Sequence, residues 1–183
     1  MFSFKVNEEI SVELLQLHHK EELFELIDAN RGYLRKWLVW VDKRQLPDDF
    51  DAIIPIWLQN FAANDGFDAG IRYNGMLIGM VGLQSIDWKN KSTSIGYFLS
   101  EDMQGKGIIT QTLSALLDHI FDTMKLNRVE ILCVVSNHKS LAIPERLGFS
   151  KEGIKKEAQW LHGQYEDLIM YRMLAREWKG KRP

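Results

Sequence analysis

The chain alternates between two hydrophobic rhythms. Residues 10–17, ISVELLQL, alternate apolar and polar as a half-buried strand does. Residues 20–29 and 32–41 instead bring Leu23, Phe24 and Ile27, then Tyr33, Leu34, Trp37, Leu38 and Val41 to helical spacing. Asp48 or Asp49 fits the start of a third helix running to Ala63, which Pro55 must kink or delay. FDAGIRY and MLIGMVGLQSI flank Asn74-Gly75, a pair that suits a two-residue hairpin because both positions tolerate positive φ. A turn at 89–91 leads to a strand over 93–99. From Gln111, the residues Leu113, Leu116, Leu117, Ile120, Phe121 and Met124 keep a helical stripe. RVEILCVV, residues 128–135, is apolar on both faces, as an interior strand of a covered sheet is. A short helix and two strands, around 153–159 and 165–174, complete the pattern.

The centre therefore reads as strand, glycine-rich loop, helix, strand. That is a βαβ unit, so its two strands are predicted to run parallel. The loop, within LSEDMQGKGIITQTL, lies at the carboxyl end of the first strand, where ligands of open α/β sheets sit. Two standard phosphate loops fail on the residues. A dinucleotide fingerprint starting at Gly105 and Gly107 needs glycine where Thr110 stands, and a P-loop needs Lys where Ile108 follows Gly107. The glycine pair taken alone fits an anion cradle at a helix N-terminus or a plain strand-to-helix turn.

Composition narrows the classes. The 183 residues are long enough for one domain with a real core. Lys and Arg number 23 against 25 Asp and Glu, for a net charge of −2, so no basic excess points to nucleic acid. No apolar run is long enough to span a bilayer, and the N-terminus carries no signal-peptide pattern. The single cysteine, Cys133, excludes an internal disulfide and a cysteine-cluster zinc site. His18 and His19 lack partners at metal-ligand spacing, so no metal is expected. These features fit a cytoplasmic protein with neither nucleic-acid nor membrane partners.

The residues then carry a resemblance. Gln104-Gly105-Lys106-Gly107-Ile108-Ile109 is similar to the Q/R-x-x-G-x-G/A loop of the GNAT superfamily of N-acetyltransferases, with Ile109 where Gly or Ala is usual. NHKSLAIPERLGF, Asn137 to Phe149, is similar to the superfamily's N-x-x-[AS]-…-G-F segment. LRKWLVW, Ser140 and EGIKKEAQWLHGQYEDLIMY resemble the RimL/RimJ ribosomal-protein N-terminal acetyltransferases. The likeness covers nearly the whole chain.

The resemblance implies a single α/β GNAT domain over residues 1–183. Its sheet would be mixed and mostly antiparallel, with a central parallel pair splayed at the acyl-CoA site and helices on both faces. It implies acetyl-CoA as co-substrate, held by Gln104, Gly105, Lys106, Gly107, Ile108, Ile109 and Thr110 together with Asn137 and Ser140. Main-chain N–H of Phe98 or Leu99 would meet the acetyl oxygen. A homodimer or higher homo-oligomer is the family expectation. The implied acceptor is a protein N-terminal α-amine; a small-molecule amine and a catalytically silent acyl-CoA sensor are the alternatives.

Transfer of acetyl from a thioester to an amine requires positioning, oxyanion stabilisation and a proton for the departing thiolate. The tyrosine that often supplies the proton in the superfamily falls on Pro144, which has none to give. RimL-like enzymes resemble this chain in using a serine three residues after the asparagine, here Ser140; the competing role is a helix-start cap. Pro144 also removes the N–H that would pair with the Ser140 carbonyl, so a kink or free carbonyl is predicted. The RimL-like glutamate falls on Gln159, which cannot take a proton. Glu157, two residues away on a predicted strand, is either a base on the same side or a solvated charge.

Overall fold

The computed structural model describes residues 3–180. Eight strands form one sheet: β1 (Ser3–Lys5), β2 (Ile10–Leu14), β3 (Phe67–Tyr73), β4 (Met76–Asp87), β5 (Ser92–Leu99), β6 (Arg128–Val134), β7 (Ser150–Leu161) and β8 (Gln164–Leu174). Their spatial order is β1-β2-β3-β4-β5-β6-β8-β7. Every neighbouring pair is antiparallel except β5 with β6. The helices are α1 (Lys20–Ala29), α2 (Arg31–Leu34), α3 (Ile54–Ala62), α4 (Ile108–Asp118), α5 (His138–Arg146) and α6 (Ala175–Lys179). No described helix is long and apolar enough to cross a membrane.

Two cores flank the sheet. On one face Leu113, Leu116 and Leu117 of α4, with Ile120 in the turn of π-helix that follows it, meet Ile71, Val81, Val129, Ile131 and Met173. On the other, Leu23, Ile27, Leu34, Phe50 and Ile54 cover Leu77 and Met80. This is the mixed α/β arrangement that the sequence resemblance implies. The predicted hairpin forms at Asn74-Gly75, both at positive φ, 49° and 84°.

The differences have local causes. The helix predicted over 32–41 stops at Leu34. The Arg31 guanidinium instead donates to the Val41 and Arg44 carbonyls at 2.6 Å each, folding the following stretch back as turns. The third helix starts late, with Pro55 in its first turn, while Asp49 holds a separate turn by accepting from the Gln45 and Leu46 N–H groups at 2.7 and 3.0 Å. The first predicted strand ends at Leu14, because residues 17–19 turn into a 3-10 helix. The strand predicted over 153–159 runs the whole length of β7 and carries two register shifts.

Candidate active site

The parallel strands β5 and β6 pair only through Ser92–Arg128, Thr93–Val129 and Ser94–Glu130. Beyond that point each strand keeps its outer neighbour, β5 with β4 to Leu99 and β6 with β8 to Val134, and the two diverge. The gap opens a cleft of about 1020 Å³ lined by Ile95 to Leu99 on one side and Ile131 to Val134 on the other.

Which main-chain groups face the gap follows from strand alternation. The Ser100 N–H donates to the Ile78 carbonyl at 2.8 Å, toward β4. Phe98, two residues earlier, points the same way, and its carbonyl faces Gly79. The Leu99 N–H therefore points to the opposite edge, where β6 offers no ladder partner.

The glycine loop closes one end of the cleft. Gly105 and Gly107 both sit at positive φ, 75° and 76°, and Gly107 is the N-cap of α4. No side chain caps this helix. The N–H groups of its first turn have no intrahelical acceptor and carry the positive end of the helix dipole. Nothing stands within 4 Å of a Cβ placed on Gly105, so an anion can approach the backbone there. These features fit the pyrophosphate of CoA. Ile109 stands in the small-residue position, its side chain packed into the core beneath α4 and bordering the cleft.

Helix α5 brackets the loop from across the cleft. Lys139 Nζ donates to Gln104 Oε1 at 2.8 Å, and the Arg146 guanidinium donates to Thr110 Oγ1 at 3.1 Å. Asn137 caps α5, its Oδ1 accepting from the Ser140 N–H at 3.2 Å. Ser140 lies in the cleft wall with Cys133 Sγ 3.3 Å from its Oγ and Tyr97 Oη 3.4 Å away. Burial pushes both the Tyr97 phenol and the Cys133 thiol above their usual ranges, so the three groups form an uncharged cluster.

The structure thus gathers Phe98, Leu99, Gln104, Gly105, Gly107, Ile108, Ile109, Thr110, Asn137 and Ser140 around one cleft. Two candidates are not in its wall. Lys106 is exposed, its Nζ donating to Met103 Sδ at 3.2 Å. Glu157 is exposed at φ +50° on the second β7 shift, where its N–H donates to Asp167 Oδ1 at 2.9 Å. That shift breaks the alternation expected to place Glu157 beside Gln159. Gln159 does line the cleft, its Nε2 donating to the Trp37 carbonyl at 3.4 Å. Trp37, whose spacing reads as core, lines the cleft with Tyr33 and Leu38, whereas Trp40 packs on Phe98 with ring centroids 6.1 Å apart. Tyr97 escaped the sequence reading. Pro144 signals only that the Ser140 carbonyl needs a donor from elsewhere; that the donor is Tyr97 is set by packing across the cleft.

Comparison with known proteins agrees with this geometry. The family model described as an acetyltransferase (GNAT) domain matches residues 11–150. The Bacillus subtilis protein YdaF is 40% identical over 183 residues, the full length of both chains. A ribosomal-protein-serine acetyltransferase of Escherichia coli is 31% identical over 169 residues, 92% of this chain and 94% of that protein. Among solved structures, the ribosomal α-N-protein acetyltransferase RimL in complex with coenzyme A superposes with a TM-score of 0.91. It is 26% identical, covering 94% of this chain and 98% of that one. The splayed parallel pair, the uncapped glycine-led helix and these matches lead to one conclusion: the chain belongs to the GNAT family of acetyl-CoA-dependent N-acetyltransferases.

Proposed function

We propose that the protein acetylates the α-amine of a polypeptide N-terminus, of the kind presented by a ribosomal protein. The observation that carries this reading is the side chain at position 159. The amide of Gln159 lines the cleft beside Trp37, the carboxylate of Glu157 lies outside it, and among the described residues the one carboxylate in the lining is Glu101, three residues before the glycine loop. An acceptor site with an amide where an acid could stand favours an amine that is already partly neutral. An α-amine with pKa of about 8 meets that need near pH 7.5, whereas a lysine near 10.4 costs about 3 kcal/mol more to deprotonate. The names of RimL and of the Escherichia coli relative, an α-N-protein and a ribosomal-protein-serine acetyltransferase, support the same acceptor.

In this reading the first-turn N–H groups of α4 hold the pyrophosphate and the pantetheine arm runs into the gap between β5 and β6. The amine nitrogen bonds to the acetyl carbon while the Leu99 N–H stabilises the carbonyl oxygen. The C–S bond then breaks with its electron pair on sulfur. Ser140 hands its hydroxyl proton to the thiolate and regains one from the ammonium through solvent, so one amide and one CoA thiol result.

The test is mass spectrometry of acetyl transfer across a panel of serine- and alanine-initiated peptides, an N-terminally blocked lysine peptide and spermidine. The α-amine peptides are expected to be fastest; faster transfer to the blocked peptide or to spermidine overturns the acceptor. Ser140→Ala is expected to lower kcat by about 10²-fold, the range of a positioned proton donor, with little change in acetyl-CoA affinity. Equal turnover at matched stability would leave Ser140 only its place in the first turn of α5.

A further inference from the structure

The hydroxyl of Ser140 is fixed from outside its own helix. Pro144, buried inside α5, has no N–H for the Ser140 carbonyl four residues earlier. That carbonyl accepts instead from Tyr97 Oη at 3.2 Å. The same phenol oxygen lies 3.4 Å from Ser140 Oγ and can accept its proton. Tyr97 thus touches both ends of one residue, main chain and side chain. It does so from β5, two residues before Leu99, whereas Ser140 stands on the helix that follows β6. The contact spans the very gap where β5 and β6 have stopped pairing.

We infer that Tyr97 is a positioning residue that sets the Ser140 hydroxyl against the Leu99 N–H, using the carbonyl that Pro144 leaves free. The inference rests on the proposed role of Ser140. Its chemical logic is one of matched strengths. A neutral phenol is a weak acceptor, so it orients the serine proton in the resting site without retaining it. A thiolate is a far stronger acceptor and takes that proton when the C–S bond breaks. Cys133, which bonds to both Ser140 and Tyr97, is likewise neutral and weakly accepting. Tyr97 also ties the oxyanion donor and the proton donor, which belong to diverging strands, to one distance. Misplacement of such a pair by about 1 Å costs up to about 10²-fold in rate.

A purely structural tyrosine and a positioning tyrosine are separated by restoring the helix. Tyr97→Phe keeps the ring but removes both contacts to Ser140 and the one to Cys133. Pro144→Ala supplies an N–H that can take the Ser140 carbonyl within α5, leaving the contacts to the Ser140 hydroxyl and to Cys133 missing. Four proteins, Tyr97→Phe, Tyr97→Phe/Pro144→Ala, Ser140→Ala and Tyr97→Phe/Ser140→Ala, are compared with the wild type. Each is assayed with acetyl-CoA and the fastest acceptor of the panel, and each melting temperature is recorded. Tyr97→Phe is expected to lower kcat roughly ten- to a hundredfold with the KM for acetyl-CoA within about twofold. Adding Pro144→Ala is expected to recover the melting temperature but not kcat. In the Ser140→Ala background the tyrosine change is expected to have no further effect on kcat. Wild-type kcat in Tyr97→Phe, or recovery of kcat together with stability in the double variant, overturns the positioning role while leaving Ser140 in place. Wild-type kcat in Ser140→Ala overturns the underlying reading instead.

Discussion

Gln159 is the residue on which the acceptor chemistry turns. Its amide faces the cleft and is tied to the Trp37 carbonyl, in the place where RimL-like enzymes are expected to carry an acid. With an amide at position 159, kcat/KM for an α-amine peptide should climb with pH along the titration of that amine, without a second inflection near pH 6–7. Gln159→Glu should raise the rate on the acid side, because a carboxylate at that spot can take the ammonium proton directly or through one water. Glu157→Gln should leave the profile unchanged. Parallel pH–rate profiles of the three proteins decide the matter: an enzyme inflection lost in Glu157→Gln would make Glu157 the base despite its exposed bulge. The bulge itself depends on single side-chain contacts. Asp167 accepts from the Glu157 N–H at 2.9 Å and from Lys156 Nζ at 2.7 Å, and this pins β7 in the twisted register that turns Gln159 inward.

At the scale of elements, the proposed reaction places its donor on the uncapped start of α4. Gly107→Asp would place a Cβ at φ 76° and a negative charge among N–H groups that await a phosphate. It should abolish the rise in melting temperature that acetyl-CoA gives the wild type; a folded variant retaining the full rise would remove the loop from the binding site. Elements of this kind were legible in the chain because their periodicity is strong and local. The α4 stripe and the Asn74-Gly75 hairpin announce themselves within a dozen residues. The strand β6 also forms where its apolar run stands, but it buries Val129, Ile131, Cys133 and Val134 and leaves Leu132 exposed, so it is not covered on both faces along its length as the run predicts. What the pattern hid was decided by contacts across space. The helical spacing over 32–41 loses to Arg31, whose guanidinium takes the carbonyls of the turns that replace it. The alternation of β7 loses to Asp167. Ser140 was reached through the likeness of its segment to known enzymes, whereas Tyr97 sits in an ordinary strand pattern and gains meaning only from the helix packed against it.

At the scale of the whole molecule, the sheet is two antiparallel halves, β1 to β5 and β6 to β8, joined directly by three residue pairs. Acetyl-CoA in the gap would touch both halves, so it should act as a brace for the entire fold. At about 100 times its dissociation constant a ligand stabilises by about 2.7 kcal/mol, which for a domain of this size is a rise of roughly 5–10 °C in melting temperature. Differential scanning calorimetry with and without acetyl-CoA checks this; a shift absent at saturating ligand would mean that the cleft does not hold it. The division of labour in that cleft has a consequence for descent. In the proposed complex the pyrophosphate of the donor would be met by peptide N–H groups, which every amino acid but proline supplies, and the acceptor by side chains such as Trp37 and Gln159. A point change in the gene can redraw the second surface residue by residue while barely registering on the first. Lineages built on this scaffold are therefore free to trade one amine for another while inheriting the same acetyl currency.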